Sequence, residues 1–359
     1  QSLFQKDFSS GVCTNTNENL KPESSVRLAM NIDCDEELGT AVSRLGTGIV
    51  NAQLVDTMTI LGLHDFNYAT TTNKLLATIN AAGGATSVVY DVEAGSTIRT
   101  GLTASKKMRF VTFLDSVLML NGADAEASYN GTTVITTGGA FDLANIPSSN
   151  TVNIGIEWRD RVYVAGDTAE PSRLYYSTVP TAGAVAFTGG DSGNIDIEPE
   201  DGTGPITGLG KVPGYLLIFK QRNMKRWNFD NAFPETLMNI GTTSHESIIN
   251  AAGLCAFYSA TNQSNKGFYI TNGGRPTPIS HMRARNIKKW VDAIPQSYDA
   301  NVSGWGTENY FLWSIGDVTV DGVDYTNVVV KWNRIFDQWT VRSYPSEFRV
   351  FSSYVDTSG

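Results

Sequence analysis

Three histidines, His64, His245 and His281, are the side chains best suited to proton transfer or metal ligation near neutral pH. No two of them lie in the H-x-x-x-H or H-E-x-x-H spacing that places imidazoles on one helical face, so a metal centre is not expected. The three cysteines, Cys13, Cys34 and Cys255, fit neither a metal-ligand spacing nor a paired framework, and read as free structural thiols of a chain made in a reducing compartment. A nucleophile elbow, a phosphate-binding Walker loop and a dinucleotide fingerprint between strand and helix are all absent. Carboxylates remain. Asp115, Glu157 and Asp160 stand beside apolar stretches and could serve glycoside hydrolysis, which needs two acids at a set separation. The sialidase-type S-x-D-x-G-x-T-W turn is missing, however, and no catalytic residue is assigned. The run "DIEPEDG" (196–202) gathers Asp196, Glu198, Glu200 and Asp201 without matching a twelve-residue calcium loop; it reads as a solvated loop available for contacts. A basic counterpart, Arg283, Arg285, Lys288 and Lys289, lies in "SHMRARNIKKWVDAI" (280–294). There Ile287, Trp290, Val291 and Ile294 recur at helical spacing, which predicts a short helix over that stretch. These eight charged residues are the interface candidates; no cofactor or metal is expected.

The elements that would carry them are strands. Apolar segments are short and rich in Val, Ile, Thr, Tyr and Phe, while Gly numbers 34 and charged residues make up 18% of 359. One phrase recurs. An apolar strand is followed by a second strand bearing an aromatic: 74–80 with 87–92, 116–122 with 126–131, 161–165 with 173–177, 214–220 with 224–229, 253–260 with 267–273, and 309–315 with 328–334. The second-strand aromatics are Tyr90, Tyr129, Tyr175, Trp227, Tyr269 and Trp332, separated by 39, 46, 52, 42 and 63 residues. A period of about 40–50 residues is that of a four-stranded propeller blade, whereas sandwich strands come every 8–12 residues without a higher period. The fold expected is therefore all-β, a β-propeller of about six degenerate blades, five to seven being compatible with the pattern, with at most one or two short helices. The hairpins would be blade centres, and 109–115, 152–158 and 247–253 would supply strands just before three of them. The Gly-rich connectors 136–150, 188–205 and 272–280 read as long rim loops. Residues 1–20 read as an N-terminal arm and 21–359 as the propeller.

Lys and Arg number 27 against 36 Asp and Glu, a net charge of −9. Such a surface does not grip nucleic acid by neutralising phosphates. No apolar run approaches the ~20 residues of a membrane span, and the first residues lack the pattern of a secretory signal. Trp158, Trp305, Trp313 and Trp339 could line glycan-binding pockets on a rim, or fill the spaces between blades.

The segment "LKPESSVRLAMNIDCDEELGTAVSRLGTG" (20–48), with Asn31, Ile32 and Asp33 followed by Gly39, Arg44 and Gly46, resembles the N-terminal strand of the tail accessory, DNA-stabilising propellers of tailed bacteriophages. "IEWRDRVYVAGDTAEPSRLYYSTV" (156–179), "DIEPEDGTGPITGLGKVPGYLLIFKQRNMKRW" (196–227) and "KWNRIFDQWTV" (331–341) are similar to that family's blade phrases. The resemblance is diffuse and carries no catalytic signature. It implies a structural virion protein of the head-to-tail connector or tail nozzle, synthesised in the bacterial cytoplasm. Copies would form a cyclic ring, a hexamer, against the portal or adaptor and other tail proteins. DNA would pass through the lumen without sequence-specific contacts, an acidic wall repelling its phosphates. Family members often extend further toward the C-terminus. A receptor- or glycan-binding propeller is the alternative reading, and a propeller glycosidase a more distant one.

Overall fold

A strand whose residues are apolar on both faces can be buried only between two other layers. The first strands of the predicted hairpins have this character: all five residues of Ser116–Leu120 and of Arg161–Ala165 are buried. The computed structural model describes residues 9–14, 24–26, 28, 30–33, 42–43, 59–68, 72–81, 83–136, 140–142, 152–231, 233–282 and 285–353.

Six four-stranded sheets follow in chain order. The first comprises Ile60–Tyr68, Thr72–Asn80, Thr86–Asp91 and Ser96–Thr103; the second Arg109–Phe113, Ser116–Leu120, Ala127–Tyr129 and Val134–Ile135. The third is Ile154–Trp158, Arg161–Ala165, Arg173–Tyr176 and Gly193–Asp196. The fourth is Ile206–Val212, Tyr215–Lys220, Met224–Trp227 and Glu235–Met238; the fifth Ile249–Ala251, Leu254–Ser259, Gly267–Thr271 and Thr277–Pro278. The sixth is Ser303–Gly306, Tyr310–Val320, Val323–Asn333 and Gln338–Ser343. This is a six-bladed β-propeller arrangement, and each hairpin read from the sequence forms the second and third strands of a blade. The chain divides into two compact units, residues 1–48 with 210–349, and residues 49–209 with 350–359. No helix among the described residues is long and apolar enough to cross a membrane.

Within each unit, alternate residues of one strand serve two cores. In the second sheet, Val117 and Met119 pack with Phe66, Leu76 and Val89 of the first, while Leu118 and Leu120 pack with Val162 and Val164 of the third. In the fifth, Cys255 and Phe257 join Leu217 and Phe219 of the fourth, whereas Ala256 and Tyr258 join Phe311 and Trp313 of the sixth. Double-sided burial explains why these strands read as continuous apolar runs and not as alternating ones.

The third-strand aromatics have a shared second role. Tyr90 donates its hydroxyl proton to Gly95 O at 2.6 Å, Tyr129 to Gly131 O at 2.7 Å, and Tyr269 to Asn265 O at 2.8 Å. Tyr175 donates to Asp167 Oδ2 at 2.8 Å, and the indole N–H groups of Trp227 and Trp332 donate to Asn231 O and Asp337 Oδ1, both at 2.9 Å. All of these rings except the half-buried Tyr90 are buried, and each polar tip ties down an adjacent turn.

Three sequence expectations need correction. The helix spans Lys288–Asp292 and not the stretch from 280, because His281–Met282 and Arg285–Asn286 pair as a hairpin and the Asn286 side chain accepts the Lys288 N–H at 2.7 Å. Ile287, Trp290, Val291 and Ile294, in the helix or beside it, are all buried as their spacing predicts. Connector 188–205 is not all loop, since Gly193–Asp196 is the fourth strand of its blade, pairing with Arg173–Tyr176. Thr277–Pro278 likewise closes the fifth blade within connector 272–280. Of connector 136–150, Phe141–Asp142 pairs parallel with Val185–Ala186, and residues 137–139 and 143–150 lie outside the described ones.

Phe257 is fully buried and rests against Phe219 and Tyr269, with ring centroids at 4.8 and 5.6 Å. Phe257→Ala is expected to cost about 3–5 kcal/mol in urea unfolding. Phe233→Ala, at a ring 71% exposed, is expected to stay within about 0.5 kcal/mol.

Candidate functional site

The charged interface candidates are largely spoken for by their neighbours. Asp196 ends a strand and receives the Arg173 guanidinium in a fork, Nε at 2.6 Å and Nη2 at 3.0 Å. That hydrogen bonding holds its carboxyl below the usual carboxylate range. Asp201 Oδ1 accepts from the Thr203 N–H at 2.9 Å and its hydroxyl at 2.5 Å, and the Asp201 N–H donates to Glu198 O, so this acidic stretch folds on itself as a turn. Glu198 and Glu200 are exposed. On the basic side, Lys288 pairs with Asp292 one helical turn on, and Lys289 Nζ donates to both oxygens of Asp321 at 2.7 and 2.9 Å. Arg283 lies outside the described residues, and of Arg285 only the backbone is described. The acidic and basic groups belong to different compact units.

The residues considered for chemistry have local explanations. Leu114 and Asp115 have φ of 51° and 54°, and Arg159 and Asp160 of 48° and 56°. These are the paired left-handed positions of two-residue hairpin turns, where Asp is favoured for backbone reasons. Glu157 faces Val162 across the neighbouring strand. His64 shares a 2.6 Å hydrogen bond with the Thr112 hydroxyl and stacks on Phe110 at 5.3 Å; burial lowers its pKa to about 4. His281 Nδ1 is 2.7 Å from Ser280 Oγ, and burial lowers its pKa too. Among the described residues no three or more His, Cys, Asp or Glu side chains gather as metal ligands. Cys13 and Cys255 are free and buried, and burial pushes the Cys255 thiol up; Cys34 lies outside the described residues. Trp158, Trp313 and Trp339 are core residues, unavailable to a glycan, and Trp305 is half-buried against Tyr310.

What residue-type reasoning did not find is a strap on the sixth sheet. Its fourth strand, Gln338–Ser343, has an outer edge whose backbone groups need partners. Two N-terminal pieces provide them. Val12 N–H donates to Trp339 O at 3.0 Å, and Gln338 Nε2 donates to Ser9 O at 2.6 Å. Residues 24–26 back this piece: Cys13 N–H donates to Val26 O at 2.9 Å, and Val26 N–H to Gly11 O at 3.0 Å. Gly11 is required here, with φ of 58° and room for no Cβ, which would lie 2.9 Å from Trp339 O. Further along, Met30 bridges Val341 in parallel, Asn31 N–H donates to Val341 O at 2.8 Å, and Asn31 Oδ1 accepts from Ser343 N–H at 3.0 Å. Asn31 has φ of 56°, a conformation Asn tolerates.

Asp33 completes the strap. Its Oδ1 lies 2.5 Å from Arg342 Nη2 and 3.5 Å from Lys331 Nζ, and Lys331 also sits 4.6 Å from the centre of the Tyr310 ring. One carboxylate thus serves two cations, of which Lys331 is buried. The described part of the expected N-terminal arm, 9–14, is integral to this packing: Val12 and Cys13 have no exposed surface. The family resemblance covers both Asn31 and Asp33 and the 331–341 phrase that contains Trp339 and Val341, but it does not pair the two segments.

No protein-family model matches the chain, and no curated protein matches it. Among solved structures, a chain from the crystal structure of a mitotic checkpoint complex is similar at 10% identity, over 87% of this chain and 93% of that one, with a TM-score of 0.47.

Asp33→Asn is expected to lower stability by about 3 kcal/mol, since it removes the carboxylate that faces Arg342 and the buried Lys331. It should also make the first 33 residues the earliest cut in limited proteolysis. A second outcome concerns pH. The unfolded chain protonates His64 near pH 6.5 while the folded protein holds it neutral down to about 4. Stability should therefore fall as pH falls through that window, with about one proton taken up on unfolding, and His64→Phe should flatten the slope.

Proposed function

We propose that the protein is a structural, non-enzymatic component of a tailed-bacteriophage particle, forming a cyclic ring in the head-to-tail connector or tail nozzle that continues or closes the DNA channel. The observation that carries this reading is the strap: the Asn31-Ile32-Asp33 element, on which the resemblance to tail accessory propellers rests, has a defined mechanical job in this fold. It ties the beginning of the chain to its last blade. Support also comes from Asp115 and Asp160, which hold turn positions, and from Trp158, Trp313 and Trp339, which are buried in blade packing. The net charge of −9 suits a wall past which DNA must slide without adhering.

The partners on this reading are further copies in a sixfold ring, the portal or adaptor, neighbouring tail proteins, and DNA in transit. Quantitative peptide mass spectrometry of purified particles, calibrated against capsid and portal proteins, is the test. A fixed stoichiometry of about six or twelve copies, as closed cyclic rings require, is expected. Absence from the particle would overturn the assignment.

A further inference from the structure

The strap touches the sixth sheet through residues some 300 positions away in sequence, and nothing in those contacts demands that both sides belong to one chain. Val12 to Trp339, Asn31 to Val341 and Ser343, and Asp33 to Lys331 and Arg342 form a set that a strap from an identical neighbour would reproduce bond for bond. Covering an exposed strand edge with an extended segment is strand addition, the same backbone chemistry that joins separate chains.

The connection permits the exchange. Ile32–Asp33 pairs with Val42–Ser43, so that ladder would travel with the strap. Sixteen residues then separate Ser43 from Ile60, where the first sheet begins. Extended, they reach about 55 Å, against a width of about 20 Å for a four-stranded sheet. Closing a loop of this length within one chain gives only a small entropic advantage once a second copy is held alongside at millimolar effective concentration. Asp33 would fix the register of the exchanged strap by its two cations, while Val12, Met30 and Ile32 would pack on the neighbour's core as they do here.

We infer that in the assembled ring the strap, described here by residues 9–14, 24–26 and 30–33, is exchanged, so that each copy's strap covers strand Gln338–Ser343 of its neighbour. The inference rests on the ring reading above. It would make each ring contact depend on a few backbone hydrogen bonds as well as on side chains.

Two single variants test it in a Cys34→Ser background, Cys13 and Cys255 being buried. One copy carries Asn31→Cys and the other Ser343→Cys, with different tags; they are co-expressed, purified through both tags and treated with a short bis-maleimide. The double variant Asn31→Cys/Ser343→Cys in one chain reports that the two thiols come within reach. A covalent dimer from the mixed singles, lost when the strap residue Asp33 is also replaced by Lys, is the expected result. Oligomers without a cross-chain product overturn the exchange and leave the ring reading standing. If the purified protein forms no oligomer, both fall.

Discussion

A sheet with two apolar faces has no stable existence alone, and every part of this structure answers to that constraint. The second and fifth sheets bury Val, Leu and Phe on both faces by lying between two others, the second between the first and third and the fifth between the fourth and sixth. At about 25 cal/mol per Å2 of apolar surface, the alternate faces of one strand contribute to separate cores, so no blade is stabilised independently of its neighbours. The repeat seen in the sequence is the trace of this dependence.

The same constraint determines what can be read from sequence. Central strands are buried on both faces and are written as apolar runs, which is why all six hairpins were legible. The fourth strands of the second, third and fifth sheets have less to bury. Gly193–Asp196 alternates half-buried with exposed residues, Thr277–Pro278 is exposed, and Val134–Ile135 is two residues long. Their identity comes from pairing with a strand already in place and leaves no pattern of its own. The helix is shorter than its pattern for a related reason: Ile287, Trp290, Val291 and Ile294 mark what is buried in and beside it, while its start is set by one hydrogen bond from Lys288 to Asn286.

Charged candidates were the least legible class. Asp196, Lys288 and Lys289 were noticed as a surface resource, yet each has a partner close by in space: Arg173, Asp292 and Asp321. Composition counts charges but cannot reveal which are already neutralised. Asp115 and Asp160, marked as acids, are better understood through φ: a left-handed turn position favours Asp irrespective of its proton. The strap depends on contacts between residues about 300 positions apart, which no local pattern encodes; only the resemblance drew attention to Asn31 and Asp33.

The chemistry of the strap bears on why an ionic cluster closes this edge when so much apolar material was available. A hydrophobic plug would be at least as stabilising as a desolvated ion pair, because removing charges from water costs several kcal/mol per ion before their attraction is counted. It would also tolerate slippage, since apolar contacts are non-directional. A parallel segment touching an edge strand at a few points can slip by two residues and still present the same face. Asp33 removes that freedom: a two-residue slip, roughly 7 Å along the strand, would carry its carboxylate away from both Lys331 and Arg342. Asn31, whose backbone donates to Val341 while its side chain accepts from Ser343, fixes the same register by a second and uncharged means. Stability of the blades is thus supplied by apolar packing, and alignment of the chain's beginning with its last strand by a small set of directional polar contacts.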